Sequence, residues 1–220
     1  MKEEPKTKTI AATITGRYLV RSPPTQTPAP LLVGFHGYGE NAGQHLHELA
    51  SIPGSHDWLL VSVQALHRFY ERRTGTVVGS WMTSEDREQM ILDNVAYVDS
   101  VVAAVSLAHP TTSTVVYSGF SQGVAMAYRA AIQGRTPAAG IIALAGDVPP
   151  ELRPGDASDW PRVLIGRGTD DTWYTQEKMD SDVSFLVTKS QSLDTLVFEG
   201  GHAWHDDFHA AAGRLLDAAS

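Results

Sequence analysis

The 220-residue chain contains no cysteine. This absence excludes disulfides, thiolate metal sites and a cysteine nucleophile, and it leaves the redox compartment open. Positive charge is also scarce, because 17 Lys and Arg stand against 25 Asp and Glu, which gives a net charge of -8. Binding to a phosphate backbone needs clustered basic side chains, so we expect no nucleic-acid partner.

The sequence also lacks a long apolar run. No stretch approaches the roughly 20 consecutive apolar residues of a membrane span. Residues 1–6 are charged and lack the apolar region of a secretory signal. We therefore expect a cytoplasmic protein without a membrane span, with residues 1–6 disordered. The length and the apolar fraction of 42% predict one domain over residues 1–220 with a substantial buried core.

The most informative segment that is present is Gly119-Phe120-Ser121-Gln122-Gly123. The β-branched and aromatic residues 113–118 predict a buried strand before it, and residues 124–132 predict a helix after it. A strand, G-x-S-x-G and a helix together form the pattern of a nucleophile elbow, a tight turn that lifts the serine hydroxyl above the sheet edge. For the pentapeptide alone, a glycine-rich loop without chemistry is the alternative interpretation.

A serine nucleophile needs a histidine base and a carboxylate that orients this histidine. Residues 160–166 predict a strand that is followed by Asp170 and Asp171, and residues 193–198 predict a strand that is followed by His202. The order Ser, Asp, His is the one expected for a nucleophile elbow. All of these groups would emerge at the carboxyl ends of strands, where open α/β sheets place their sites.

An oxyanion hole is predicted at the end of another strand. Residues 30–35 form this strand, which ends at His36-Gly37-Tyr38-Gly39. Glycines let a backbone approach a substrate oxygen closely. We expect the backbone N–H groups of Tyr38 and Gln122 to donate to the developing oxyanion. His36 is expected to organise this loop by hydrogen bonding.

The rest of the chain alternates between predicted strands and helices, which indicates a mainly parallel sheet. Residues 7–20 predict one or two antiparallel edge strands, and residues 66–83 predict a long loop near the site. Ser84 is expected to cap the longest helix. The buried stripe of this helix is predicted at Ile91, Leu92, Val95, Val98, Val101, Val102 and Val105. Further strands are expected at 58–63 and 140–145, and further helices at 174–187 and 204–216.

These pieces resemble the α/β-hydrolases, and within them the compact phospholipase/carboxylesterase family that includes the acyl-protein thioesterases. The resemblance runs from about residue 14 to about residue 217 and rests on five motifs. These are His-Gly-Tyr-Gly, Ser80-Trp81-Met82, Gly-Phe-Ser-Gln-Gly, Gly-Thr-Asp-Asp and Gly-Gly-His.

The resemblance implies an α/β fold in a single domain, with helices on both faces of the sheet. The chain has no insertion long enough for a large lid domain. Carried over by position, the resemblance puts the nucleophile at Ser121, the acid at Asp171 and the base at His202. Asp171 is preferred to Asp170 because the family's acid is the third residue after the glycine, which is Gly168 here.

The function implied is that of a cofactor-free serine carboxylesterase that works through an acyl-enzyme. Where acyl-protein thioesterases carry Pro-Leu-Val-Pro after the acid, this chain has Thr172-Trp173-Tyr174-Thr175, which disfavours long protein-bound acyl chains. We therefore expect a small-molecule ester with a short acyl group as the substrate, and we expect Trp81, Trp173 and Trp204 to border its cleft.

Several alternatives stay open at this stage. The same catalytic parts would serve an acyl-thioesterase, a lysophospholipase-type enzyme, a peptidase or a C–C bond hydrolase, and a catalytically silent small-molecule-binding homologue is a further option. Despite nine histidines, no metal is expected, since His45 and His47 are two apart and His202 is the predicted base. A homodimer is left open.

Overall fold

The computed structural model describes residues 6–25, 27–154 and 159–220. Apart from Lys6, the segment 1–6 that was expected to be disordered lies outside these residues. The described residues form nine strands. They are β1 (Arg17–Arg21), β2 (Ala29–Phe35), β3 (Leu59–Gln64), β4 (His67–Tyr70), β5 (Val77–Ser80), β6 (Thr111–Phe120), β7 (Gly140–Leu144), β8 (Arg162–Gly168) and β9 (Leu193–Phe198).

Seven of these strands build one sheet in the order β1-β3-β2-β6-β7-β8-β9. All pairs are parallel except β1 with β3. Strands β3 and β7 are buried along their whole length, as expected for a parallel sheet that is covered on both faces. The register pairs Phe35 with Gly119 and Phe120 with Leu144. The carboxyl ends of β2, β6 and β7 therefore lie side by side.

Five helices among the described residues cover the two faces of this sheet. They are α1 (Ala42–Ser51), α2 (Arg87–Ala108), α3 (Gln122–Gln133), α4 (Gln176–Leu186) and α5 (Asp206–Ala219), with short 3₁₀ turns at Ser55–Asp57 and Pro150–Leu152. Buried side chains of α2, α3 and α4 share one core cluster with one face of the sheet. Those of α1 and α5 share a second cluster with the other face. The predicted single-domain α/β-hydrolase architecture is thus confirmed.

Helix α2 is the one helix of the described residues that is long and apolar enough to cross a membrane by length and composition, with a mean hydropathy of 1.5. Its valines Val98, Val101 and Val105 are buried in the core. Burying one valine side chain stabilises a fold by about 1.5 kcal/mol or more. Core packing therefore explains the composition of this helix.

Three sequence predictions need correction in the first half of the chain. Residues 66–83 are not a loop, because β4 and β5 pair as an antiparallel hairpin within them. The N-terminal edge, predicted to hold one or two antiparallel strands, contributes one, β1, so this prediction needs no correction. Helix α2 starts after Asp86, which adopts a positive φ of 49°, and not after Ser84. In its stripe, Leu92 is exposed and Asn94 is buried instead.

Candidate active site

Ser121 lies in a sharp turn between β6 and α3. Its φ of 53° and ψ of -120° belong to a region that a residue with a side chain rarely adopts, at a cost of order 1–3 kcal/mol. The turn is held by the Ser121 N–H, which donates to the Leu144 carbonyl at 2.9 Å. A Cβ at Gly119 would collide with the Gly123 carbonyl, and one at Gly123 with the Phe35 carbonyl. The turn therefore needs glycine on both sides of the serine.

The predicted serine, histidine and aspartate lie within hydrogen-bond distance of one another. Nε2 of His202 is 2.8 Å from Oγ of Ser121, and Nδ1 of His202 is 2.8 Å from Oδ2 of Asp171. A carboxylate only accepts hydrogen bonds, so Nδ1 carries the proton and Nε2 presents its lone pair to the serine hydroxyl. This is the arrangement in which an imidazole can take a proton from a serine.

Of the two neighbouring aspartates, Asp171 is the one that contacts the imidazole. Its side chain is buried, and its Oδ1 accepts the backbone N–H groups of Trp173 at 2.8 Å and Tyr174 at 2.9 Å. The side chain of Asp170 is exposed. Both oxygens of Asp171 are therefore engaged, one by its own loop and one by His202.

Arg167, which the sequence analysis did not identify as a site residue, holds the loop of Asp171 in place. Its buried guanidinium, at the end of β8, donates to the Tyr174 carbonyl at 2.8 Å and to the Thr169 and Asp171 carbonyls at 3.1 Å each. A guanidinium has five donors in a fixed planar fork, so it can tie several carbonyls of one loop together. The only sequence signal was an arginine inside an otherwise apolar strand.

His36 stands at the start of the turn that follows β2, and its side chain is fully buried. Its Nδ1 is 2.7 Å from the Gly37 carbonyl, and its Nε2 accepts the Ala65 N–H at 3.1 Å. Burial lowers the pKa of His36 to about 4, although its hydrogen bond to Gly37 opposes this shift. The imidazole is therefore neutral near pH 7 and holds the turn by hydrogen bonds on both sides of its ring.

The turn itself leaves one of its N–H groups without an acceptor. The Gly37 N–H donates to Oε2 of Glu40 at 2.7 Å, and the Gly39 N–H donates to the Gly79 carbonyl at 3.0 Å. The N–H of Tyr38, between them, has no acceptor among the described residues, and neither has that of Gln122. Burial raises the pKa of Glu40, and the hydrogen bond from Gly37 counteracts this rise.

The three tryptophans that were expected to border the cleft differ in burial and in the residues they contact. The prediction for Trp81 is wrong, because its side chain has no exposed surface and its indole Nε1 donates to the His36 carbonyl at 2.8 Å. Trp173 follows the acid and is 75% exposed. Trp204 is half-buried and packs beside Phe120, with ring centroids 6.2 Å apart. Phe120 in turn lies against His202, at 5.0 Å.

His205 and His209, which follow His202 on the chain, have partners of their own. His209 bonds Oε2 of Glu48 at 3.0 Å, and His205 stacks on Phe198 with centroids 4.8 Å apart. Among the described residues no group of three or more His, Asp or Glu side chains could hold a metal ion.

Comparison with known proteins shows the family of the chain. A model of the phospholipase/carboxylesterase family matches residues 18–202. The chain belongs to this family. As a member of this family, it is a hydrolase of the carboxylesterase or thioesterase type. No curated protein matches the sequence significantly.

Solved structures share the fold of this phospholipase/carboxylesterase at low sequence identity. Esterase PE8 is 21% identical, with a TM-score of 0.73 over 94% of this chain and 100% of that chain. The Bacillus cereus carboxylesterase is 16% identical, with a TM-score of 0.72 over 93% and 95%. The Zea mays acyl-protein thioesterase 2 is 19% identical, with a TM-score of 0.69 over 93% and 99%. At these identities the likeness shows the fold.

Proposed function

We propose that the protein is a serine carboxylesterase that needs no cofactor and cleaves small esters through an acyl-enzyme. The observation that carries this proposal is the 2.8 Å contact of Ser121 Oγ with His202 Nε2. In the first step Oγ attacks the ester carbonyl carbon while its proton moves to Nε2. The carbonyl π electrons move to the oxygen, which becomes the oxyanion of a tetrahedral intermediate.

The intermediate then collapses and expels the alcohol, which receives the proton from His202. Water that is deprotonated by His202 attacks the acyl-serine, and a second tetrahedral intermediate releases the acid and regenerates Ser121. Oδ2 of Asp171 accepts the Nδ1 hydrogen of His202 throughout, which fixes the tautomer and stabilises the imidazolium. The N–H groups of Tyr38 and Gln122 are the proposed oxyanion donors. Removing one such donor typically costs about 10² to 10³ in kcat.

A short acyl group is part of the proposal. The segments that follow β2, β8 and β9 at this edge of the sheet are short, which is consistent with an open cleft. The residue after Trp173 also turns inward: Tyr174 is buried, and its hydroxyl donates to Oδ2 of Asp182 at 2.9 Å. The phenol of Tyr174 therefore occupies space behind Asp171. The buried Trp81, by contrast, does not support the proposal of a short acyl group.

Thioester hydrolysis is the second candidate. The structural likeness to the Zea mays acyl-protein thioesterase 2 favours it, and a thioester would use the same nucleophile, base and oxyanion donors. A silent binding protein is disfavoured, because it would have no need for a serine hydroxyl 2.8 Å from an imidazole that is held by a buried carboxylate.

The test is a panel of p-nitrophenyl esters of graded acyl length, run beside an acyl-thioester, with wild type and Ser121→Ala. We expect kcat/KM to be highest between about C2 and C6, since each fitting methylene contributes about 0.8 kcal/mol up to the depth of the pocket. Ser121→Ala should lower kcat by about 10⁴ to 10⁶. A maximum at palmitoyl esters would overturn the short-acyl proposal, and activity above a few per cent in Ser121→Ala would overturn the mechanism.

A further inference from the structure

The end of the β4–β5 hairpin lies between the two proposed oxyanion donors. Residues Ser80, Trp81 and Met82, called the bridging segment below, contact the turn after β2 on one side and the start of α3 on the other. On the first side, the buried Trp81 indole donates to the His36 carbonyl at 2.8 Å. This carbonyl belongs to the residue two positions before Tyr38.

On the second side, the Gln122 side chain is bonded to all three residues of the bridging segment. Its Oε1 accepts the Trp81 backbone N–H at 2.8 Å, and its Nε2 donates to the Met82 carbonyl at 3.0 Å. The Ser80 hydroxyl lies 3.2 Å from Nε2 and 3.3 Å from Oε1. Because the first peptide N–H of α3 belongs to the same residue, the bridging segment fixes the residue that carries the second proposed donor.

Further contacts, with α2, Phe35 and Glu40, hold the bridging segment in place. Nδ2 of the buried Asn94, on α2, donates to the Trp81 carbonyl at 2.8 Å. The Trp81 ring packs edge-on against Phe35, with centroids 5.5 Å apart and an interplanar angle of 82°. Gly79, just before the segment, donates to the Glu40 carbonyl at 2.8 Å. Together with the Gly39 N–H, which donates to the Gly79 carbonyl, three hydrogen bonds therefore join the turn after β2 to the hairpin.

We propose that Trp81 and the Gln122 side chain are positioning residues that set the separation of the Tyr38 and Gln122 N–H groups. This inference rests on the proposed function, because it assumes that these N–H groups stabilise an oxyanion. Neither side chain touches the substrate in this scheme. Their effect arises because preorganised donors stabilise a transition state only at the right distance, so that misplacement by about 1 Å can cost as much as 10²-fold in rate.

The first experiment compares Trp81→Phe with Trp160→Phe. Trp81→Phe keeps an aromatic ring but removes the donor to the His36 carbonyl. Trp160 is also buried, but it packs between Tyr128 and Phe185 just before β8 begins, away from the carboxyl ends of the strands. Both variants lose a similar volume, so Trp160→Phe controls for loss of packing. The measurements are Tm, kcat, KM and the Ki of a trifluoromethyl ketone that forms a tetrahedral adduct with Ser121.

For Trp81→Phe we expect kcat to fall by about tenfold to hundredfold, less than the loss of a whole oxyanion donor. The Ki of the ketone should rise by a similar factor, while KM changes by less than about twofold, since only the transition state feels the displaced donors. Trp160→Phe should lower Tm without lowering kcat. Equal kcat values in the two variants would overturn the proposal, because a merely structural role moves Tm alone.

A second variant, Gln122→Met, keeps the backbone N–H and removes every side-chain hydrogen bond to the bridging segment. Its side chain is half-buried, so the variant stays informative if Trp81→Phe does not fold. We expect the same loss of kcat, and a double variant that loses clearly less than the product of the two single losses, because both act on one network. Fully multiplicative losses, or an unchanged kcat in Gln122→Met, would overturn the shared role.

The proposed function and this inference fail in different ways. If Ser121→Ala keeps the activity of wild type, the serine mechanism is wrong and the inference falls with it. If Ser121→Ala is inactive but Trp81→Phe and Trp160→Phe hydrolyse the ester equally fast, the mechanism stands and only the positioning role is wrong.

Discussion

The two halves of the candidate site are held together in different ways. On the acid side, the Asp171 carboxylate is bonded by backbone N–H groups two and three residues further along the chain. On the side of the proposed oxyanion donor Tyr38, called the oxyanion side below, several bonds that hold the turn after β2 come from partners far away in sequence. Trp81 is 45 residues from His36, and Ala65 is 29 residues from it. One half is thus built mainly from a local loop, and the other from tertiary contacts.

This difference explains how much of the site could be predicted from the sequence. Local hydrogen bonding imposes a fixed spacing on a motif, and the spacing of Gly168 and Asp171, compared with that of the family's motif, was enough to choose between two adjacent aspartates. A contact between residues 45 positions apart produces no fixed spacing in the sequence. Trp81 was consequently predicted to border the substrate cleft. Its indole instead lies in the core beneath the turn after β2.

After loss of the nucleophile, we expect the largest decrease in kcat from a substitution on the acid side. Asp171→Asn should lower kcat by about 10⁴, because an amide can donate to Nδ1 and so favours the wrong tautomer of His202. Asp170→Asn is the matched control, since it makes the same change in an exposed side chain one residue away. Steady-state kinetics on p-nitrophenyl acetate, with circular dichroism to check folding, measures both. The opposite ranking would move the acid to Asp170 and contradict the observed contact.

The fold shows the same division between local and distant determinants. Strands β2, β3, β6, β7, β8 and β9 are buried or β-branched segments that end at turn residues, and each was predicted within a few residues of its bounds. The β4–β5 hairpin was missed because all four residues of β4 are exposed. Because β4 has no buried face, its sequence shows no apolar alternation. Its pairing with β5 is therefore apparent only from the three-dimensional structure.

The start of α2 was misplaced for a related reason. Ser84 has the residue type that usually caps a helix, but the helix begins after Asp86, whose side chain makes no capping bond. Within α2, Leu92 is exposed while Asn94 is buried and bonded to Trp81. Apolar periodicity does not reveal a buried polar residue that is there to bond a distant backbone.

A second prediction concerns two buried histidines, His36 in the turn after β2 and His45 on α1. Since the folded-state pKa of His36 is lowered from 6.5 to about 4, the unfolded chain binds its proton first as the pH falls. The stability that neutral His36 contributes is complete above about pH 6.5 and is lost between pH 6.5 and pH 4. A shift of this size corresponds to about 3 kcal/mol. Burial likewise lowers the pKa of His45, to about 3, so His45 adds to the same slope.

Urea unfolding at pH 7.5, 6.5, 5.5 and 4.5 measures this slope. His36→Gln should be less stable than wild type at pH 7.5, because the buried ring loses its bonds to Gly37 and Ala65. Its free energy of unfolding should then fall less steeply with acid than that of wild type. His56→Gln, a change in an exposed histidine, is the control and should keep the wild-type slope. A parallel slope in His36→Gln would show that His36 does not couple folding to pH.

The smallest effect is expected at Glu40, which makes a local side-chain contact on the oxyanion side. Glu40 accepts the Gly37 N–H through Oε2, three residues away, much as Asp171 accepts the N–H of Tyr174. Glu40→Ala removes the acceptor, frees the Gly37 N–H and loosens the turn that presents Tyr38. We expect kcat to fall by about tenfold with little change in KM, which is less than the cost of a lost oxyanion donor because the His36 and Gly79 contacts remain. Glu40→Gln keeps an amide oxygen that can accept the same N–H, so it should recover most of kcat. If Glu40→Gln were as impaired as Glu40→Ala, the negative charge of Glu40 rather than its hydrogen bond to Gly37 would hold the turn.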